Sequence, residues 1–137
     1  MKLAFFDTNI LIYTDDPSVP QKQTRADALF TEHLHHGMAA LSLQVLQEYY
    51  ATVTRKLRVA PDLAQRRVEL FSLANIVRFS VKDVISAIEL HRLHQISFWD
   101  ALIVHAARVS GATVLYSEDL QHGAAVGGVR VVNPFKV

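Results

Sequence analysis

The chain has no cysteine in its 137 residues, only five glycines, four prolines and one tryptophan. Without cysteine there is no disulfide, no thiolate nucleophile and no zinc site built on sulfur, and a disulfide-stapled secreted domain is excluded. So few glycines and prolines, with half the residues hydrophobic and a fifth charged, exclude a disordered or collagen-like chain. Charge of one sign is lacking too: 14 Lys and Arg face 13 Asp and Glu, for a net +1. That balance predicts no strong long-range pull on nucleic acid, although a local patch is compatible with it. No apolar run approaches the roughly 18 residues of a membrane span. The opening run Leu3-Ala4-Phe5-Phe6 is stopped by Asp7, too short for a secretory signal. The expectation is a single domain over residues 1–137 that stays in the cytoplasm.

What is present is an alternation of short apolar runs with helical periods. Strands are expected at residues 3–6, 38–41, 76–79, 113–116 and 129–132. Helices are expected at 8–13, 26–34, 43–57, 63–73, 81–93 and 98–109. Apolar residues at 81, 84, 85, 88 and 90 make a clear helical stripe. Strands separated by helices favour a parallel sheet covered on both faces, a three-layer α/β/α sandwich. Ligands in such sheets bind outside the carboxyl ends of the strands, so the polar residues expected there carry the argument.

Asp7 directly follows the first strand, where an N-cap is its plainer role. Asp119 lies in the turn Ser117-Glu118-Asp119 after the strand ending at Tyr116, with Glu118 as the competing acid. Asp100 stands in the first turn of a helix that leads down into that strand, so its helix starts at the same edge. Ser97-Phe98-Trp99-Asp100 also has the form of a capping box. Glu48 lies within two turns of the start of the helix that follows Ser42, among Val45, Leu46, Tyr49 and Tyr50. Carboxylates that converge repel one another, which raises their pKa values or recruits a cation. All-oxygen ligands favour a hard ion, Mg²⁺ or Mn²⁺, the setting for metal-assisted phosphodiester hydrolysis.

These segments resemble the PIN-domain ribonucleases, most closely the VapC toxins of prokaryotic toxin–antitoxin pairs. The resemblance covers the whole chain. It rests on Phe6-Asp7-Thr8-Asn9, Val45-Leu46-Gln47-Glu48, Ser97-Phe98-Trp99-Asp100-Ala101, Leu115-Tyr116-Ser117-Glu118-Asp119-Leu120 and Val131-Val132-Asn133-Pro134-Phe135, in that order. It implies an α/β/α fold with a metal-dependent endoribonuclease site, an RNA substrate, a cognate antitoxin and a homodimer. Asp7 and Asp100 correspond to the main metal ligands, Glu48 to a ligand or a residue that positions the attacking water, and Asp119 to a ligand of a second ion. Thr8, Asn9 and Ser117 match supporting polar positions.

Other features have simpler readings. Arg55, Lys56, Arg58, Arg66 and Arg67 suit either phosphate contacts or solvated helix surface. His91 and His94 are expected as a solvated pair, and His33, His35 and His36 as a helix end. Tyr49, Tyr50, Phe98 and Trp99 are expected in the core or at a dimer contact rather than stacked on bases. A receiver-type signalling domain would need an acidic pair after the first strand and a Lys near a later strand end, yet no Lys lies between Lys82 and Lys136. An Asp-nucleophile phosphatase would need an acid where Asn9 stands. A PIN-like binding module for RNA or protein, with little catalysis, is the remaining alternative.

Overall fold

The structure is a computed structural model and describes residues 1–136. Val137, the last residue of the expected domain, lies outside them. One six-stranded sheet has the order β3-β2-β1-β4-β6-β5, formed by β1 (Ala4–Phe6), β2 (Ala39–Ser42), β3 (Asn75–Val77), β4 (Val114–Tyr116), β5 (Ala125–Val126) and β6 (Val129–Val132). The first four pairings in that order, up to β6, are parallel, and only β5 runs antiparallel to its neighbour. The helices are α1 (Thr8–Tyr13), α2 (Pro20–His35), α3 (Leu43–Arg55), α4 (Pro61–Phe71), α5 (Val81–His94) and α6 (Phe98–Ser110). None is long and apolar enough to cross a membrane.

Both faces of the sheet are covered, as the continuous apolar strands require. Side chains alternate along β1. Phe6 meets the edges of Phe30 and His33 on α2, while Phe5, fully buried, faces the opposite layer. In that layer α6 lies against β1, β2, β3, β4 and β6, with α5 packed on it. Seven consecutive residues of α6, Ala101 to Ala107, are buried. Its alanines let the helix approach the sheet closely, and an all-round buried surface is what a central helix shows.

The sequence expectations differ from the structure in three places. Helix α2 begins at Pro20, six residues before the expected start. Its opening turns, Gln21 to Arg25, are polar and show no apolar period, while Pro20 at the first helical position fixes the start. Strand β5 was not expected at all. It joins β6 through Gly127 and Gly128, with φ of 58° and 84°, values that a two-residue hairpin turn requires and that glycine adopts without strain. The third difference is α5. Most of its stripe points outward, with Val81 76%, Ile85 50% and Ile88 40% exposed; of the stripe Leu90 is buried, and it makes the core contact together with Ala87.

The topology sets the position of the functional edge. From β1 the chain moves to β2 and β3 on one side, then returns to β4 on the other side of β1. The crevice outside the carboxyl ends of β1 and β4 is therefore the switch point of the sheet, where open α/β folds bind ligands.

Candidate functional site

Asp7 and Ser117 are the residues that follow β1 and β4, and their backbones continue the strand pairing. Asp7 N–H donates to the Tyr116 carbonyl at 2.9 Å, and Ser117 N–H to the Val132 carbonyl at 3.1 Å. Asp7 is 5% exposed and Ser117 fully buried. The Asp7 carboxylate accepts on both oxygens: Thr8 N–H reaches Oδ1 at 2.7 Å, and the Ser117 hydroxyl reaches Oδ2 at 2.8 Å. Asp7 is thus the N-cap of α1, as its plainer reading holds, and at the same time it is aimed at the crevice.

The other three carboxylates arrive from separate elements. Asp7, Glu48, Asp100 and Asp119 all line one cleft of about 330 Å³, together with Thr8, Asn9, Gln44, Thr52 and Trp99. Glu48 is presented by α3, which starts where Ser42 accepts from Val45 N–H at 3.3 Å. Val45, Leu46, Tyr49 and Val53 bury one face of α3, which leaves Gln44, Glu48 and Thr52, four residues apart, along the cleft. Asp100 is held by half a capping box. Ser97 Oγ accepts from Asp100 N–H at 3.0 Å, but no side-chain bond of Asp100 returns it among the described residues. The reciprocal pair occurs instead at Ser80 and Asp83 of α5. The Asp100 carboxylate is left to the cleft.

Short polar side chains tie the acids together. The Thr8 hydroxyl donates to Glu48 Oε1 at 2.6 Å. Asn9 Nδ2 donates to Asp119 Oδ2 at 3.0 Å and, at 3.4 Å, to Asp7 Oδ2. Glu118, the competing acid, does not line the cleft. It pairs with the Lys22 ammonium and accepts from the Tyr13 hydroxyl. Burial works against its charge, yet these two bonds hold its pKa below the ordinary glutamate value.

The electrostatics centre on Asp7. Burial pushes the Asp7 pKa up to about 7, against the opposing hydrogen bonds of Ser117 and Thr8, and the charges of Asp119 and Asp100 add to the rise. Among the described residues no three His, Asp or Glu side chains are grouped closely enough to hold a metal ion. The set still suits Mg²⁺ or Mn²⁺, because such ions keep several waters and take only one or two carboxylates directly.

Sequence reasoning did not single out Gln44, Thr52 or Trp99 as cleft residues. The four-residue spacing of Gln44, Glu48 and Thr52 was the available signal. Trp99 is 63% exposed at the cleft rim, and Tyr50 is exposed as well. Tyr49 is core, as expected, and Phe98 packs against it. The basic residues divide: Arg55, Lys56, Arg58 and Arg66 are exposed. Arg67 is structural, paired with Asp15 at 3.3 Å and bonded to Thr14 Oγ1 at 2.9 Å. His91 is not solvated beside His94; its ring bonds the Ile96 carbonyl just past the end of α5.

No curated protein matches the chain in sequence. Its structure is similar to a toxin–antitoxin complex from Klebsiella pneumoniae (22% identity, TM-score 0.69), covering 98% of this chain and 99% of that one. It is similar to VapC20 of Mycobacterium tuberculosis, described as a sarcin–ricin loop cleaving toxin (21%, 0.72), covering 93% and 98%. A third likeness is to DNA-bound VapBC from Salmonella typhimurium (20%, 0.67), covering 96% and 97%. The pattern of the PIN domain matches residues 4–125. With that match over most of its length, and with four acids from four elements on the switch-point edge, the chain belongs to the PIN domain family.

Proposed function

We propose that the protein is a Mg²⁺- or Mn²⁺-dependent endoribonuclease, the toxin of a toxin–antitoxin pair, acting in the cytoplasm as a single PIN domain. The observation that carries the reading is the convergence of Asp7, Glu48, Asp100 and Asp119 on one cleft, with Asp7 driven toward neutrality by burial and by its acidic neighbours. A buried carboxylate with acidic neighbours, as Asp7 is, costs stability unless a cation joins it.

Asp7 and Asp100 would hold the ion, and Asp119 would contribute from the exposed side. When bound, the ion supplies Lewis-acid polarisation of the phosphodiester and lowers the pKa of water at neutral pH. Glu48, fixed by Thr8, orients the attacking water and takes up its proton. Ser117 and Asn9 keep the carboxylates in place. The toxin assignment is supported by the structures it resembles, which include complexes of toxin with antitoxin. A homodimer is supported by the outward apolar stripe of α5, since contiguous exposed apolar surface marks interaction sites.

The test is incubation of mixed cellular RNA with purified protein. Fragments are expected with Mg²⁺ or Mn²⁺ and none with EDTA, and both Asp7→Asn and Asp100→Asn are expected to lose at least a hundredfold in rate, as removal of electrostatic stabilisation does elsewhere. Metal binding without cleavage of any RNA would leave the binding-module reading in its place.

A further inference from the structure

Resting on that metal-site reading, we infer that Glu118, Lys22 and Tyr13 form a latch that positions Asp119, making them positioning residues for the fourth carboxylate. The turn after β4 is held from two sides. On the cleft side Ser117 Oγ accepts from Asp119 N–H at 3.1 Å and donates to Asp7, and Asn9 holds the Asp119 carboxylate. Asn9 also accepts from Glu118 N–H at 3.2 Å. On the far side Glu118 points away from the cleft, toward α1 and α2. One of its oxygens accepts from Tyr13, at the end of α1, and the other from Lys22, in the first turns of α2. Lys22 itself lies 5.0 Å from the centre of the Tyr13 ring and 5.3 Å from that of Phe135. The two rings meet edge to face at 5.1 Å.

Magnitude separates this role from plain stabilisation. Lys22 is 37% and Glu118 25% exposed, and ion pairs at such positions contribute under about 1 kcal/mol to folding. The same constraint on a residue that orients a ligand changes metal affinity by about 10- to 100-fold. Release of Glu118 frees the turn that carries Asp119. In Lys22→Met the freed Glu118 charge by itself attracts a cation, so a loss of affinity there reads the positioning of Asp119 and not the charge.

The experiment is a Mn²⁺ titration followed by the paramagnetic resonance of the free ion, on the parent, Glu118→Ala, Glu118→Gln, Lys22→Met, Asp119→Asn and the double variant Glu118→Ala/Asp119→Asn. Glu118→Ala and Lys22→Met are expected to weaken binding about tenfold, with little change in metal-free melting temperature. Glu118→Gln keeps one acceptor oxygen for Lys22 and can donate its amide N–H to the Tyr13 hydroxyl, and is expected to restore part of the affinity. The double variant is expected to bind no more weakly than Asp119→Asn alone. A further loss in the double variant, or unchanged affinity in both single variants, overturns the latch. If Glu118→Ala does not fold, Lys22→Met carries the same comparison. No uptake of Mn²⁺ by the parent overturns the metal reading itself, an outcome distinct from a latch without effect.

Discussion

Asp7 is where one side chain carries two opposed demands. It caps α1 and supports Ser117, which favours the carboxylate, yet its burial favours the neutral acid. Its pKa moves from 3.8 to about 7, a shift equivalent to roughly 4 kcal/mol against the charged form. The sign follows from proton uptake. Between those two values the folded state binds more protons than the unfolded one, so metal-free stability falls as pH rises through that window and levels off above it. Asp7→Asn retains an oxygen for Thr8 N–H and removes the charge. Urea unfolding in EDTA is expected to show the variant more stable than the parent at pH 8 and no different at pH 4. A variant weaker than the parent at both pH values would mean that Asp7 is only a cap.

At the scale of elements, α5 shows what periodicity conveys and what it omits. Residues 81, 84, 85, 88 and 90 announce a helix correctly, but a period says nothing about which of them face the core, and only Leu90 does. Here α6, with Ala101 to Ala107 buried, already fills the sheet face, and α5 packs on it through Ala87, Leu90 and an Asp83–His105 contact. The rest of the stripe is left outside. Ile85→Glu is therefore expected to turn a dimer into a monomer of 15.4 kDa in sedimentation velocity. Its monomer stability should change within about 0.5 kcal/mol, as for other exposed positions. A parent already monomeric at high concentration removes the stripe as a dimer contact.

The same distinction runs through the rest of the sequence reading. The four acids were legible because Asp7 and Asp119 follow strands and Asp100 and Glu48 lie in the first two turns of helices, positions that topology sends to one edge. The choice between Asp119 and Glu118 was not, because it depends on Lys22 and Tyr13, and no local pattern joins them to the turn after β4. Polar α2 turns hid the start of that helix. The hairpin at Gly127 and Gly128 was a readable turn signal between two valine-bearing segments, passed over because β5 has only two residues.

For the whole molecule, the cleft joins segments as distant as Asn9 and Asp119, 110 residues apart in sequence, so it exists only in the folded state. An ion held there binds the native chain and not the unfolded one, and at a hundred times its Kd it adds about 2.7 kcal/mol to stability. The ion must also displace the proton that Asp7 keeps up to about pH 7. Apparent affinity therefore drops about tenfold for each pH unit below that point, where the loss of stabilisation is about 1.4 kcal/mol per unit. Metal-free stability moves the other way over the same range. Thermal melts from pH 5 to pH 8, with EDTA or with millimolar Mn²⁺, are thus expected to diverge as pH rises: the EDTA curve falls and the Mn²⁺ curve holds or climbs. In Asp7→Asn the two curves should run flat and close together. Parallel curves in the parent would show that the ion, if it binds, does so without Asp7, and the assignment of Asp7 as its principal ligand would fail.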